Sequence, residues 1–327
     1  MPLDFIPIIR DAPGTAHQAT IATDAQIYIH GGLRKPGSGK PGGSLWQLDL
    51  GSERWTRLDG EGPRRSNHQG WAQDNRTLTL VGGFDGKVRR SDVWKYDLRS
   101  GEWIECETEG FPRGGGLSSY TLSPLSDGDT AILTGRLGGI RTHRKAATVL
   151  KLQCDDTNLA SYTDLPQHIN SRSGHTATPI SSKELVIIGG RDEQGDIDSE
   201  IIHHSRLERA KSRIDLSEDS RGRRRSRSRS RSRAGVASRK FHAAFLTADN
   251  EIVLHGGEGF NALASRNTVY SDVALWRDGV FQPLSCIGHP PPLTGHAIVL
   301  CGHHPFAVGG FGEGWTVNQT VYQIDCH

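Results

Sequence analysis

Five times along the chain an apolar run ends in a pair of glycines. Ile27-Tyr28-Ile29-His30 precedes Gly31-Gly32, Leu78-Thr79-Leu80-Val81 precedes Gly82-Gly83, and Val186-Ile187-Ile188 precedes Gly189-Gly190. Ile252-Val253-Leu254-His255 then precedes Gly256-Gly257, and Phe306-Ala307-Val308 precedes Gly309-Gly310. A degenerate copy, Ala131-Ile132-Leu133-Thr134 before Gly135-Arg136, brings the units to six, with first glycines 51, 53, 54, 67 and 53 residues apart. A period of this length allows few folds, because each unit must be one supersecondary element stacked on the next.

Two further markers keep the same period. His17, His68, His175 and His242 each stand 14 residues ahead of their first glycine and His296 stands 13 ahead, with Thr121 at that place in the third unit. After the glycines, Trp46-x-Leu48-Asp49-Leu50-x-Ser52-x-x-Trp55 matches Trp94-x-Tyr96-Asp97-Leu98-x-Ser100-x-x-Trp103 at every named spacing. Short apolar runs between turn signals read as strands rather than helices. Each unit is therefore predicted to hold four: an inner strand opened by the histidine, the apolar run, the Trp46-type segment and the Trp55-type segment. Asp85-Gly86, Asp127-Gly128 and Asp278-Gly279 stand where tight turns require positive φ. A four-stranded sheet cannot cover both of its own faces, so the six must stack about an axis, with tryptophans filling the gaps between them. Gly 40 and Pro 15 out of 327 residues suit so many turns, and a single Met argues against a helical bundle. Five scattered cysteines form no C-x-x-C pair, which disfavours a structural zinc site or a disulfide framework.

These markers resemble the kelch repeat, and the resemblance runs over almost the whole chain. It implies an all-β, six-bladed kelch β-propeller, a single unit over residues 1–327. Gly116-Leu117-Ser118-Ser119, Gly135 to Arg144, Arg172-Ser173-Gly174-His175 and Gly309-Gly310-Phe311-Gly312-Glu313 are similar to a family of small proteins built of kelch repeats alone. That resemblance implies a non-enzymatic protein-interaction scaffold without cofactor or metal, a monomeric cytoplasmic or nuclear protein with no membrane partner, and it points toward a cell-cycle cyclin as partner. In the last unit Tyr322-x-Ile324-Asp325 aligns with Trp46-x-Leu48-Asp49, but no Trp55-type segment follows. Phe5-Ile6-Pro7-Ile8-Ile9 offers the missing strand, so residues 3–10 are predicted to close the last blade from the N-terminus.

The long interval contains an insert, residues 215–237 of blade four, with eight arginines between Arg221 and Arg233. Without those eight the net charge of +2 becomes −6, so the remainder of the chain is mildly acidic. A segment of like charges without apolar residues is predicted to be disordered. It resembles arginine–serine repeats, and phosphorylation of Ser226, Ser228, Ser230 and Ser232 would roughly cancel its charge. Residues 221–233 are thus either a contact for RNA, nuclear import or a regulated partner, or a loop expansion that the surface tolerates.

A propeller binds at its loop faces. Arg65, Arg172 and Arg239 stand three residues before the repeat histidine, where Gly14 and Leu293 stand in blades one and six; Arg34, Arg136 and Arg191 follow the glycines on the same face. In kelch domains that take acidic peptides, arginines at the former place rim the channel mouth. The six are therefore candidates for binding an acidic loop or a terminal carboxylate, unless each pairs with a neighbouring carboxylate and serves the ring. The repeat histidines are separated by a blade each and cannot converge on one metal, so a packing role is expected of them. Gly37-Ser38-Gly39-Lys40-Pro41 lacks the spacing of a phosphate loop, and no nucleophile motif occurs. The Tyr–Cys crosslink of kelch copper oxidases has no counterpart here.

Overall fold

The computed structural model describes residues 2–112, 115–135, 146–170, 172–181, 184–191, 200–203, 237–261, 266–277 and 280–326. The Arg/Ser run, with its four serines, and Arg136 lie outside them. Six antiparallel sheets follow one another along the chain. Blade one is Ala19–Ala22, Gln26–His30, Ser44–Asp49 and Arg54–Glu61, and blade two Gln69–Ala72, Thr77–Phe84, Arg89–Asp97 and Glu102–Glu105. Blade three is Thr121–Pro124, Thr130–Gly135, Ala146–Cys154 and Leu159–Asn170, and blade four contains Thr176–Ser181, Glu184–Ile188 and Glu200–His203. Blade five is Ala243–Leu246, Ile252–His255, Val273–Arg277 and Val280–Pro283, with a hairpin, Glu258–Asn261 and Arg266–Val269, above it. Blade six is Ala297–Cys301, His304–Val308, Val321–Cys326 and, from the N-terminus, Leu3–Ile9.

The apolar runs are the second strands, and their composition follows from their position. Gln26–His30, Thr130–Gly135 and Ile252–His255 are buried almost throughout because a neighbouring blade covers each face. The outer strands Arg54–Glu61 and Glu102–Glu105 are mostly exposed and charged. Six apolar clusters lie one at each junction between blades. Ile27, Ile29 and Leu48 meet Phe306, Val308 and Val321 between blades one and six, for instance, while Tyr28 and Leu45 meet Leu78 and Leu80 between blades one and two. Trp46 and Trp55 pack into the first of these junctions, and Trp94 and Trp103 into the second.

The N-terminal strand closes the ring as the sequence predicts. Leu3 to Ile9 runs antiparallel to Val321–Cys326, with Leu3 opposite Cys326 and Phe5 opposite Ile324, and Pro7 sits beside a bulge. Its outer edge is covered at Leu3 and Asp4 by the short parallel strand Cys286–Ile287, which arrives from blade five.

Candidate functional site

The turn entering each inner strand holds the molecule together at its axis. His17, Asn67, Ser119, Gly174, Phe241 and Gly295 all have positive φ, between 53° and 69°. Each donates its amide hydrogen to the carbonyl of the equivalent residue one blade back. The donor–acceptor pairs are Asn67 to His17 (2.7 Å), Ser119 to Asn67 (3.0 Å), Gly174 to Ser119 (2.8 Å), Phe241 to Gly174 (2.7 Å), Gly295 to Phe241 (2.9 Å) and His17 to Gly295 (2.8 Å). The six bonds close on themselves at the mouth of the channel.

The residue after each turn reaches into the preceding blade. His68 Nε2 meets His30 Nδ1 at 2.8 Å, His175 Nε2 meets Thr134 Oγ1 at 3.1 Å, His242 Nε2 meets Thr176 Oγ1 at 3.0 Å and His296 Nε2 meets His255 Nδ1 at 3.1 Å. Two members differ from the sequence reading. In blade one the latch is Gln18, whose Nε2 donates to Val308 O at 3.1 Å, and His17 is the turn residue before it. In blade three it is Tyr120, whose hydroxyl donates to Val81 O at 2.7 Å, and not Thr121. The spacing was therefore read one residue off in both blades. Gly135 accordingly takes the place of a second glycine: a Cβ there would stand 2.8 Å from Tyr120 Cβ, as one on Gly83 would stand 2.5 Å from His68 Cβ. Burial keeps these histidines neutral. It lowers His175 and His242 to about 3, and His68 and His296 well below the usual value. His17, buried and close to Lys240, falls to about 4.

The three arginines at the inter-blade turns do not rim the mouth. Arg172 is 1 % exposed and Arg239 2 %, and Arg65 is also buried. Arg172 donates to Gly189 O at 2.8 Å. Arg239 donates to Gly256 O at 2.8 Å and to both oxygens of Asp272 at 2.7 Å, and lies over the Tyr270 ring. Arg65 is paired with Asp92. The reason is that a guanidinium at this turn points inward: Arg172 and Arg239 reach a carbonyl of the glycine pair of their own blade, and Arg65 and Arg239 each meet a carboxylate at or just before its third strand. In blade one Thr15, rather than Gly14, holds this place: its carbonyl accepts from Gly310 N at 2.8 Å, as Arg65 O accepts from Gly32 N and Leu293 O from Gly257 N. Arg34 and Arg191 are exposed.

What does form the mouth is a cavity of about 630 Å³ above the hydrogen-bonded circle. His17, Asn67, Ser119 and Phe241 floor it, Leu33, Phe84 and Val88 give it apolar walls, and Lys87 and Arg89 are its charged residues. Val88 is 51 % exposed, a large apolar residue held out to solvent. Nothing in the repeat spacing announced Lys87, Arg89 or Phe241; the left-handed turns that set the floor are signalled only where Asn67, Gly174 and Gly295 occupy them.

Charge is divided between the two faces. Loops joining second to third strands, and blade to blade, share the mouth side, where among the described residues Arg34, Lys35, Lys40, Arg64, Lys87, Arg90, Arg191 and Arg266 are exposed, against Asp11, Glu61, Asp272 and Glu313. The opposite loops expose Asp24, Glu53, Asp74, Asp127, Asp129, Asp156 and Asp249 beside Arg54 and Arg99, while Arg76 and Arg277 there are tied to Asp97 and Glu251. Among the described residues no group of His, Cys, Asp and Glu is placed to hold a metal, and no helix is long and apolar enough to cross a membrane.

A ring of six sheets, five of them joined to the next blade through the second glycine of a pair, is a kelch-like β-propeller, and that is the fold class of this chain. A family model of the kelch motif matches residues 79–108, from the second strand of blade two past its outer strand. Over nearly its whole length the chain is similar to Kelch domain-containing protein 9. It is 28 % identical to the Homo sapiens protein, covering 98 % of this chain and 94 % of that one, and 28 % identical to the Mus musculus protein, covering 94 % and 90 %. A solved structure, "Structure of YjhT", has the same fold, with a TM-score of 0.67 at 14 % identity over 97 % of this chain and 99 % of that one.

Proposed function

We propose that the chain is a non-enzymatic interaction module that receives an acidic segment of a partner protein at the basic mouth of its channel. Kelch propellers generally bind other proteins, and this coarse statement fits the chain's relatives. The finer reading rests on one observation: the mouth cavity combines Lys87 and Arg89 with the apolar Phe84, Val88 and Phe241, and among the described residues no acid lines it. An acidic loop carrying an apolar side chain would find both its complements there. Charge on the rim steers the encounter, and the apolar walls hold what arrives.

Affinity purification from the native cell followed by mass spectrometry tests this. Lys87→Glu, Arg191→Glu and Arg266→Glu together should remove the principal partners, while Asp74→Lys with Asp249→Lys on the far face should keep them. The same partner list from both variants would sink the proposal. Arg65, Arg172 and Arg239 are unsuitable for such a test because reversing a buried, paired charge unfolds the ring first.

A further inference from the structure

A second cavity, of about 340 Å³, opens in blade one beneath the loop of residues 31–43, and we propose that it is a binding site for a phosphate monoester. Four cations line it, Arg34, Lys35, Lys40 and Arg64, and among the described residues no carboxylate does. Among the described residues only Arg64 of these four has an ion-pair partner, Glu61 at 2.9 Å on the exposed rim. Thr15 lines the same cavity at 9 % exposure, and its hydroxyl is buried without a hydrogen-bond partner among the described residues. Trp46 adds an apolar wall.

The loop is braced rather than loose. Gly39 packs so closely on the turn of blade two that a Cβ on Gly86 would stand 2.5 Å from Gly39 O. The Lys40 amide donates to Ser38 Oγ at 3.4 Å. The concentration of positive charge exceeds what one carboxylate would neutralise. A dianion with three terminal oxygens matches two guanidinium forks and two ammonium groups, and a buried hydroxyl suits an ester or terminal oxygen. No helix follows Lys40, so the anion is held by side chains and not by a cradle of amide hydrogens, which sets aside a nucleotide polyphosphate. The volume takes a phosphate and the small group that carries it. That carrier is either a phosphorylated side chain of a partner segment or a free organic phosphate. The proposal rests on the basic-face reading, since this loop belongs to that face, but gives the pocket its own ligand.

Isothermal titration of the full chain decides it, with O-phosphoserine, serine, and a glycine-flanked peptide with phosphoserine, serine or glutamate at its centre. Saturable binding of the phosphorylated probes only is expected. It should weaken about tenfold or more in Arg34→Ala with Lys40→Ala, both exposed positions whose melting temperature should not change. Thr15→Val should weaken it by a smaller factor. Binding should also weaken from pH 7.5 to 5.5, because the ester takes up its second proton near pH 6 while the cations keep theirs. Equal affinity for free phosphoserine and its peptide identifies a free ester as ligand; tighter binding of the peptide identifies a partner segment. Binding kept in the triple variant Lys87→Glu, Arg191→Glu and Arg266→Glu, where partners are lost, separates this pocket from the mouth. No saturable binding, equal binding of the glutamate peptide, or unchanged affinity in the double alanine variant overturns the proposal.

Discussion

Arg239 carries a permanent charge into a site that is 2 % exposed. Two carboxylate bonds, two carbonyls and an aromatic face replace its water, so its partners would suffer most from its loss. Arg239→Ala should destabilise the fold by about 3 kcal/mol or more, read by urea unfolding, and Arg239→Lys should recover only part of that because one ammonium cannot form the fork. The spacing of Arg65, Arg172 and Arg239 before their histidines was legible in the sequence. Their inward direction was not, because for Arg65 and Arg239 it is decided by Asp92 and Asp272, which stand at different distances along the chain and meet their arginines only once the third strand has folded back, and for Arg172 by the carbonyl of Gly189. The histidine latches carry a second prediction. Their folded pKa values lie below the unfolded one, so their contribution is complete above about pH 6.5 and is lost as pH falls toward the folded values. The melting temperature should therefore fall between pH 7 and 4. Since Gln18 makes the same latch in blade one, His175→Gln with His242→Gln should flatten that fall, measured by calorimetry across the range; an unaltered slope would place the acid sensitivity elsewhere.

Among the elements, the N-terminal strand shows how far a missing piece can be traced. The last unit lacked a fourth strand, and the apolar stretch Phe5–Ile9 stood unassigned at the other end of the chain. Leu3, Phe5 and Ile9 are all buried against Ile324, Val321 and neighbouring side chains. At about 1.5–3 kcal/mol for each buried apolar side chain, removing residues 2–9 should lower the melting temperature by about 10 °C, checked by differential scanning fluorimetry. The element-level errors came from the turns. Inner strands of blades one and three were placed one residue early or late, because the latch is defined by the left-handed residue before it. Asn67, Gly174 and Gly295 advertise that backbone, whereas His17, Ser119 and Phe241 adopt it against their own preference. A histidine at the turn of blade one was thus mistaken for a member of the latch series.

For the whole molecule, a net charge of +2 is the least informative number it has. The described surface is positive where the loops crowd the mouth and negative on the other side, so a partner meets a dipole rather than a net charge. If the mouth is the docking face, association with an acidic partner should slow as salt is raised, and stopped-flow rates at 50 and 300 mM salt should differ by about tenfold. An open stack of repeats can melt from its ends inward. Here the six amide-to-carbonyl bonds from His17 round to Gly295 and back leave no terminal member to go first. The deuterium uptake of those six amides should accordingly occur at one shared slow rate, and a fragment holding any five of the units should not exist as a stable protein at all.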